Sequence, residues 1–145
     1  MNLQNITFAK DSEEVRFFNI NENFICIRFL DKNTERFELE FNLEKGTSFN
    51  TFLIYSKEEL IIIYPPENKY SQLLRNIIST ALNQIKIKKI NIISGHINPQ
   101  IIKTIKFIYS FSNDLTITCS NPGLKLIKEL WNQKQPNQID FIELK

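Results

Sequence analysis

The sequence predicts an α/β protein built on one mixed sheet, an antiparallel β-meander followed by helix–strand repeats. Three observations carry this. Residues 15–64 hold short runs rich in Ile, Phe and Leu, bounded by turn residues, which is the pattern of strands. From Tyr70 the apolar residues recur at three- and four-residue spacing, the pattern of amphipathic helices. Short apolar runs then separate those helical stretches, and strands separated by helices pair in parallel through right-handed crossovers.

Taken in order, Val15–Ile20 and Phe24–Leu30 read as strands, the second the more apolar. Arg36–Leu43 alternates: Phe37, Leu39, Phe41 and Leu43 point one way, Glu38, Glu40 and Asn42 the other. That predicts a strand with one wet face. Asp31-Lys32-Asn33 and Glu44-Lys45-Gly46 are turn sequences. Phe49–Ser56 and Glu59–Tyr64 form a hairpin about Lys57-Glu58, and Pro65-Pro66 ends it, because proline cannot donate to a ladder. Tyr70–Ile85 is a helix whose stripe includes Leu74, Ile77, Ile78 and Ala81, with Ser71 as a candidate cap. Ile90–Ile93 is a strand. Pro99–Phe111 is a second helix, with proline in its first turn. Leu115–Cys119 is a strand. Ser120-Asn121-Pro122 opens a third helix with Leu126, Ile127, Leu130 and Trp131 on its apolar side. Gln135-Pro136-Asn137 breaks it, and Ile139–Leu144 is the last strand. Helices are expected on one face of the sheet. No linker or repeat interrupts the chain, so residues 1–145 form one domain. A strand-like run that ends directly at Lys145 leads us to expect that this domain is incomplete.

Bulk properties exclude more than they select. A chain of 145 residues with 42% hydrophobic content is long enough for one core. A net charge of +2 supplies no broad electrostatic footprint for nucleic acid. Cys26 and Cys119 lie far apart in apolar runs, and buried free thiols in a reducing compartment are favoured over a disulfide. The N-terminus shows no secretory signal, and no apolar stretch is long enough to span a bilayer. The expectation is a soluble cytoplasmic protein with no membrane partner.

One stretch carries the candidate chemistry. In Lys89–Gln100, KINIISGHINPQ, an apolar strand stops at Ser94-Gly95, and the chain's single histidine, His96, follows. A strand that ends in such a loop and turns into a helix is where α/β proteins place functional groups. A lone histidine there is nonetheless most often a structural or turn residue. One histidine rules out HExxH, and GxSxG, GxxxxGK[ST] and GxGxxG are absent. Cys119 and His96 lie near the ends of neighbouring strands, so a Cys–His nucleophile is conceivable, although a cysteine in an apolar run is more often core. Lys86, Lys88, Lys89, Lys103 and Lys106 form a basic cluster without the interleaved aromatics that single-strand binders use, so a solvated face is favoured over nucleic acid.

Two stretches resemble the flavodiiron proteins, and specifically the cyanobacterial diflavin flavoprotein branch. Glu35–Ile54, ERFELEFNLEKGTSFNTFLI, is similar to that branch's opening strands, with Gly46, Thr47, Phe49 and Asn50 matching. Ile92–Ile127, IISGHINPQIIKTIKFIYSFSNDLTITCSNPGLKLI, resembles the family's first metal-ligand loop, the helix after it, and the strand that leads to a Ser-Asn-Pro helix start. Order and spacing agree from about Phe37 to Leu144. The resemblance implies part of a metallo-β-lactamase-like αββα sandwich, in a family whose members carry a diiron centre, an FMN domain and, in this branch, a flavin reductase domain. It implies oxygen reduction to water with flavin-delivered electrons. No part of the chain resembles the FMN or reductase domains.

The departures are as informative as the likeness. The family loop reads His-x-Glu-x-Asp-His, and here the corresponding positions are His96, Asn98, Gln100 and Ile101. A diiron site needs anionic oxygen and imidazole donors. Two amides supply no charge, and Ile101 supplies no donor. The expectation is therefore His96 as the one ligand-type residue, no cofactor in this chain, and no activity on its own. Degenerate ligand sets recur in one subgroup of the branch. The alternative is a metal-free interaction module that dimerises or docks on a full-length diflavin flavoprotein.

Overall fold

A computed structural model describes residues 15–31, 36–37, 41–42, 47–84, 86–110, 112, 114–131 and 138–144. Nine strands and three α-helices are described: β1 Val15–Asn21, β2 Phe24–Asp31, β3 Arg36–Phe37, β4 Phe41–Asn42, β5 Thr47–Ser56, β6 Glu59–Ile63, α1 Ser71–Gln84, β7 Lys89–Ser94, α2 Pro99–Tyr109, β8 Asp114–Cys119, α3 Asn121–Leu130 and β9 Gln138–Glu143. Seven strands make one sheet in the order β1-β2-β5-β6-β7-β8-β9. The first four pair antiparallel, and β6 through β9 pair in parallel. This is the mixed sheet that the change of sequence rhythm predicts.

The strands alternate strictly between two faces. Ile25, Ile27, Leu53, Leu60, Ile62 and Ile92 are at most 2% exposed. They share a core with Leu74, Ile77 and Ile78 of α1, Ile105 and Ile108 of α2, and Ile127 of α3. Three successive crossovers of one hand between neighbouring parallel strands set all three helices on this face. The other face carries Phe24, Cys26, Phe52, Ile54, Ile61 and Ile63, placed there by register: Phe24 opposes Ile54, Ile54 opposes Ile61, and Phe52 opposes Ile63. Most of these stay partly exposed.

Several expectations are corrected. Arg36–Leu43 is not one strand. Arg36 pairs with Asn42 and Phe37 with Phe41 in a separate antiparallel ladder outside the main sheet, and residues 38–40 and 43 lie outside the described residues. Clean alternation says which side chains share a face, but not whether the chain turns back on itself. Ser71 does not cap α1. It lies in helical conformation, φ −60° and ψ −37°, because the 3-10 turn Asn68–Tyr70 leads directly into the helix. Leu130 is 38% exposed although it sits on the predicted apolar stripe. Trp131, just past the helix, takes the core position, edge-on to Tyr109 at 5.4 Å. Lys32, Asn33, Glu44–Gly46, Ile85, Phe111 and Gln135–Asn137, where turns or helix ends are expected, lie outside the described residues.

The β5–β6 hairpin turns on Lys57 and Glu58, both with positive φ, 46° and 66°. That is the two-residue turn whose twist suits a hairpin, normally filled by Asn-Gly because other residues are strained there. Glu58 is retained by its partners. Its carboxylate pairs with Lys86 and Lys88 and its carbonyl accepts from Lys88 N–H at 2.8 Å. The Lys88 hydrogen bond, foremost, holds that carboxyl below its ordinary pKa. Lys57 carries the strain without such ties. Lys57→Asn is therefore expected to stabilise the fold by about 0.5–1 kcal/mol, read as a higher urea midpoint with an unchanged slope. A lower midpoint would refute the turn assignment.

Candidate functional site

The loop between β7 and α2 lies at the C-terminal edge of the parallel strands. Four local devices shape it. Ser94 is wholly buried, and its hydroxyl donates to the His96 carbonyl at 2.6 Å. Asn98 is the N-cap of α2, and its side-chain oxygen accepts from the Ile101 N–H at 2.9 Å. Pro99 takes the first helical turn, where its missing N–H costs nothing. Ile97 is 8% exposed and plugs down onto α3, where a Cβ added to Gly123 would lie 2.9 Å from Ile97 Cγ1 and 3.3 Å from Cys119 Sγ. Gly123 thus exists to admit Ile97.

Tyr64, at the end of β6, completes the neighbourhood. Its N–H donates to Ile93 O at 2.8 Å, and Thr51 Oγ1 donates to its carbonyl at 2.7 Å. These ties hold it at φ 54°, a conformation that costs a non-glycine residue about 1–2 kcal/mol. Its hydroxyl reaches the loop, 3.3 Å from where a Cβ on Gly95 would stand. Neither Tyr64 nor the Ile97–Gly123 contact was legible in the sequence. A left-handed tyrosine has no sequence signature, and a glycine inside a helix marks close approach without naming the partner.

The four singled-out residues meet different fates. His96 and Gln100 are exposed. Asn98 is engaged in the helix cap. Ile101 is half-buried and packs on the core. Among the described residues, no group of three or more His, Cys, Asp or Glu side chains is placed to hold a metal ion. The donor chemistry does not fit a diiron centre. One imidazole remains, one amide oxygen is already accepting a hydrogen bond, and no carboxylate belongs to the loop. The Cys119–His96 pair also fails. Cys119 is fully buried on the helix side, and burial pushes its thiol pKa up, the opposite of what a nucleophile needs. Both cysteines are free and buried, as expected.

Three of the five lysines of the basic cluster are engaged in local contacts. Lys86 and Lys88 pair with Glu58. Lys106 donates to the Leu130 carbonyl and lies 5.8 Å over the Trp131 ring. No described helix is long and apolar enough to cross a membrane.

The layers and the loop define the class first. The fold as a whole is similar to metallo-β-lactamase folds. Against the DIM-1 metallo-β-lactamase the TM-score is 0.54 over 90% of this chain and 52% of that one, at 19% identity. The match is stronger to a fragment of diflavin flavoprotein A 5 from Nostoc sp. PCC 7120, with TM-score 0.71, 23% identity, and 91% and 50% of the two chains covered. A metal-soaked flavodiiron core from Synechocystis sp. PCC 6803 gives 0.67 at 25% identity, over 89% of this chain and 32% of that one. No protein-family profile matches the chain. In sequence it is 33% identical over 110 residues, 76% of its length, to a protein named diflavin flavoprotein A 6 of Nostoc sp. PCC 7120. Its homologues are the cyanobacterial diflavin flavoproteins. It spans about a fifth of the length of the relatives it matches, 19% and 17% of the first two.

Two substitutions test the loop's supports. Asn98→Ala removes the cap and is expected to cost about 1 kcal/mol, while Asn98→Asp keeps the acceptor and costs little; equal losses would show that the cap is not what Asn98 supplies. Gly123→Ala overpacks the Ile97 seat and is expected to cost about 1–3 kcal/mol. Its cost should shrink in an Ile97→Ala background, and strict additivity in that double-mutant cycle would refute the contact.

Proposed function

We propose that the chain is a metallo-β-lactamase-like module of the diflavin flavoprotein family that keeps the ligand loop's backbone but holds no diiron centre and performs no redox chemistry by itself. One observation carries this reading. At the ligand positions Asn98 is engaged in capping a helix, Gln100 is an exposed neutral amide, and Ile101 packs on the core. A dinuclear iron site must offset several positive charges with anionic donors, and His96 alone cannot.

In the family setting, oxygen is reduced to water with electrons delivered through flavin. The module's part in such a system is to present a folded surface rather than to bind oxygen. Its two unpaired thiols suit the reducing cytoplasm. A specific observation favours an interaction role. On the sheet face away from the helices, Phe18 and Ile142, on the two opposite edge strands, are 43% and 51% exposed, Phe52, Ile54, Ile61 and Ile63 between them are partly exposed, and apolar faces of this kind mark association surfaces. The occupants considered are a second copy or a full-length diflavin flavoprotein.

The test is anaerobic reconstitution with ferrous iron followed by desalting and elemental analysis. Far less than one iron per chain is expected, with no change on His96→Ala. Stoichiometric iron that is lost on His96→Ala would overturn the reading.

A further inference from the structure

We infer that the outer surface of the three helices docks an acidic protein partner, whose carboxylates meet a layer of cations that have no ion-pair partner of their own. This surface lies opposite the bare sheet face, and the inference does not rest on the iron-free reading.

Charge is segregated between the layers of the fold. Together α1, α2 and α3 carry five cations, Arg75, Lys103, Lys106, Lys125 and Lys128, and one carboxylate, Glu129. The helices thus hold four net positive charges in a chain whose total is +2, so everything outside them sums to −2. The near-neutral total conceals a basic layer. Ion pairs divide in the same way. Among the described residues they join Lys69 to Asp31 and Glu67, and Lys86 and Lys88 to Glu58, and none includes a helix cation. Glu129 stands one turn beyond Lys125 and offsets it in part.

What holds these cations in place is aromatic rather than anionic. The Arg75 guanidinium of α1 lies 5.6 Å over the Phe107 ring of α2. Lys106 of α2 lies 5.8 Å over the Trp131 ring and donates to the Leu130 carbonyl at the end of α3. Lys128 of α3 lies 5.9 Å over the Phe141 ring of β9. Each contact spans a seam between neighbouring elements. A ring face attracts a cation without neutralising it, and a side chain already held in place costs a partner less to order. The core side of the helices is taken by Leu74, Ile77, Ile105, Ile108 and Ile127, which leaves Arg75, Lys103, Lys125 and Lys128 exposed. Neighbouring helix axes lie about 8–10 Å apart, so the layer is about 20 Å wide. In an αββα sandwich the helices are the outer layers, so this surface is not the one that a second sheet covers.

The surface favours protein carboxylates over nucleic acid. Single-strand binders stack bases on open rings. Here Trp131 is buried edge-on against Tyr109, and Phe107 and Phe141 are partly buried beneath their cations. Four net charges also fall short of the roughly six to ten phosphate contacts of a typical duplex binder. An arginine fork and exposed lysines instead match the charge-assisted hydrogen bonds of scattered Asp and Glu side chains.

Fluorescence anisotropy of a fluorescein-labelled oligoglutamate peptide, titrated with the 145-residue chain at low ionic strength, tests this. Saturable binding is expected, weakened about tenfold or more at physiological salt. Lys103→Glu combined with Lys128→Glu should weaken it about tenfold or more while the far-ultraviolet dichroism is kept. Lys103→Glu combined with Lys125→Glu spares the Phe141 contact and gives the same reading should the first pair fail to fold. Arg16→Glu combined with Lys57→Glu, an equal charge change at exposed positions off the helices, should leave binding unchanged. An equal loss in that control, or no saturable binding of the peptide, overturns the inference. So does an oligothymidylate of the same charge that binds more tightly than the peptide, which would make the layer a nucleic-acid site. The iron assay reads separately. A chain that takes up stoichiometric iron and binds the peptide loses the metal-free reading and keeps the docking surface, whereas an iron-free chain that ignores the peptide does the reverse.

Discussion

The structure depends on one-sided burial of a seven-stranded sheet. Side chains of a strand alternate faces with period two, so a register that sends Ile25, Ile27, Leu53, Leu60, Ile62 and Ile92 to the helices sends their neighbours to the other side. A slip of one residue in any strand would invert this set. The helices follow from it. Each crossover between parallel neighbours must cover the same face, so α1, α2 and α3 pack side by side over the buried rows. The C-terminal ends of the strands are thereby aligned, and the loop that carries His96 emerges at a fixed height beside Tyr64 and Cys119.

Local backbone and cap contacts, rather than charged side chains, set the shape of the β7–α2 loop. Its supports are Ser94, Asn98, Pro99 and Ile97, and none of them acts through a charged or imidazole side chain. A serine–carbonyl bond, a helix cap, a proline at a helix start and an isoleucine seated against Gly123 set the backbone path. Carboxylates at positions 98 and 100 are not needed for any of these. An amide caps a helix about as well as a carboxylate, so charge can leave the loop while its geometry stays. Scaffold and chemistry are separable here because they rest on different atoms.

Much of this was legible in the sequence for a definite reason. Apolar, β-rich runs at Phe24–Leu30 and Phe49–Ser56, and the 3.6-period stripes after Tyr70 and Pro99, each report burial directly, and burial decides the elements. Where the deciding force was not burial, the pattern misled. Arg36–Leu43 alternates correctly for a strand, but alternation is also satisfied by two short strands that pair with each other. Leu130 lies on the stripe, yet the adjacent Trp131 is larger, reaches Tyr109 and takes the buried place. At the loop, residue types identified His96, Asn98, Gln100 and Ile101, but contacts distant in sequence, Ile97 with Gly123 and Tyr64 with Gly95, left no periodic trace.

The same alternation that builds the core leaves a second apolar surface, and the two cannot be decoupled. Phe52, Ile54, Ile61 and Ile63 are interleaved with Leu53, Leu60 and Ile62 along β5 and β6. A sheet with helices on one face and water on the other ordinarily alternates apolar with polar. Here the wet side of the central strands is aliphatic and aromatic, and charge is kept to the corners, at Arg16, Arg28, Asp114 and Asp140. Central strands with two apolar faces are the signature of a sheet covered on both sides.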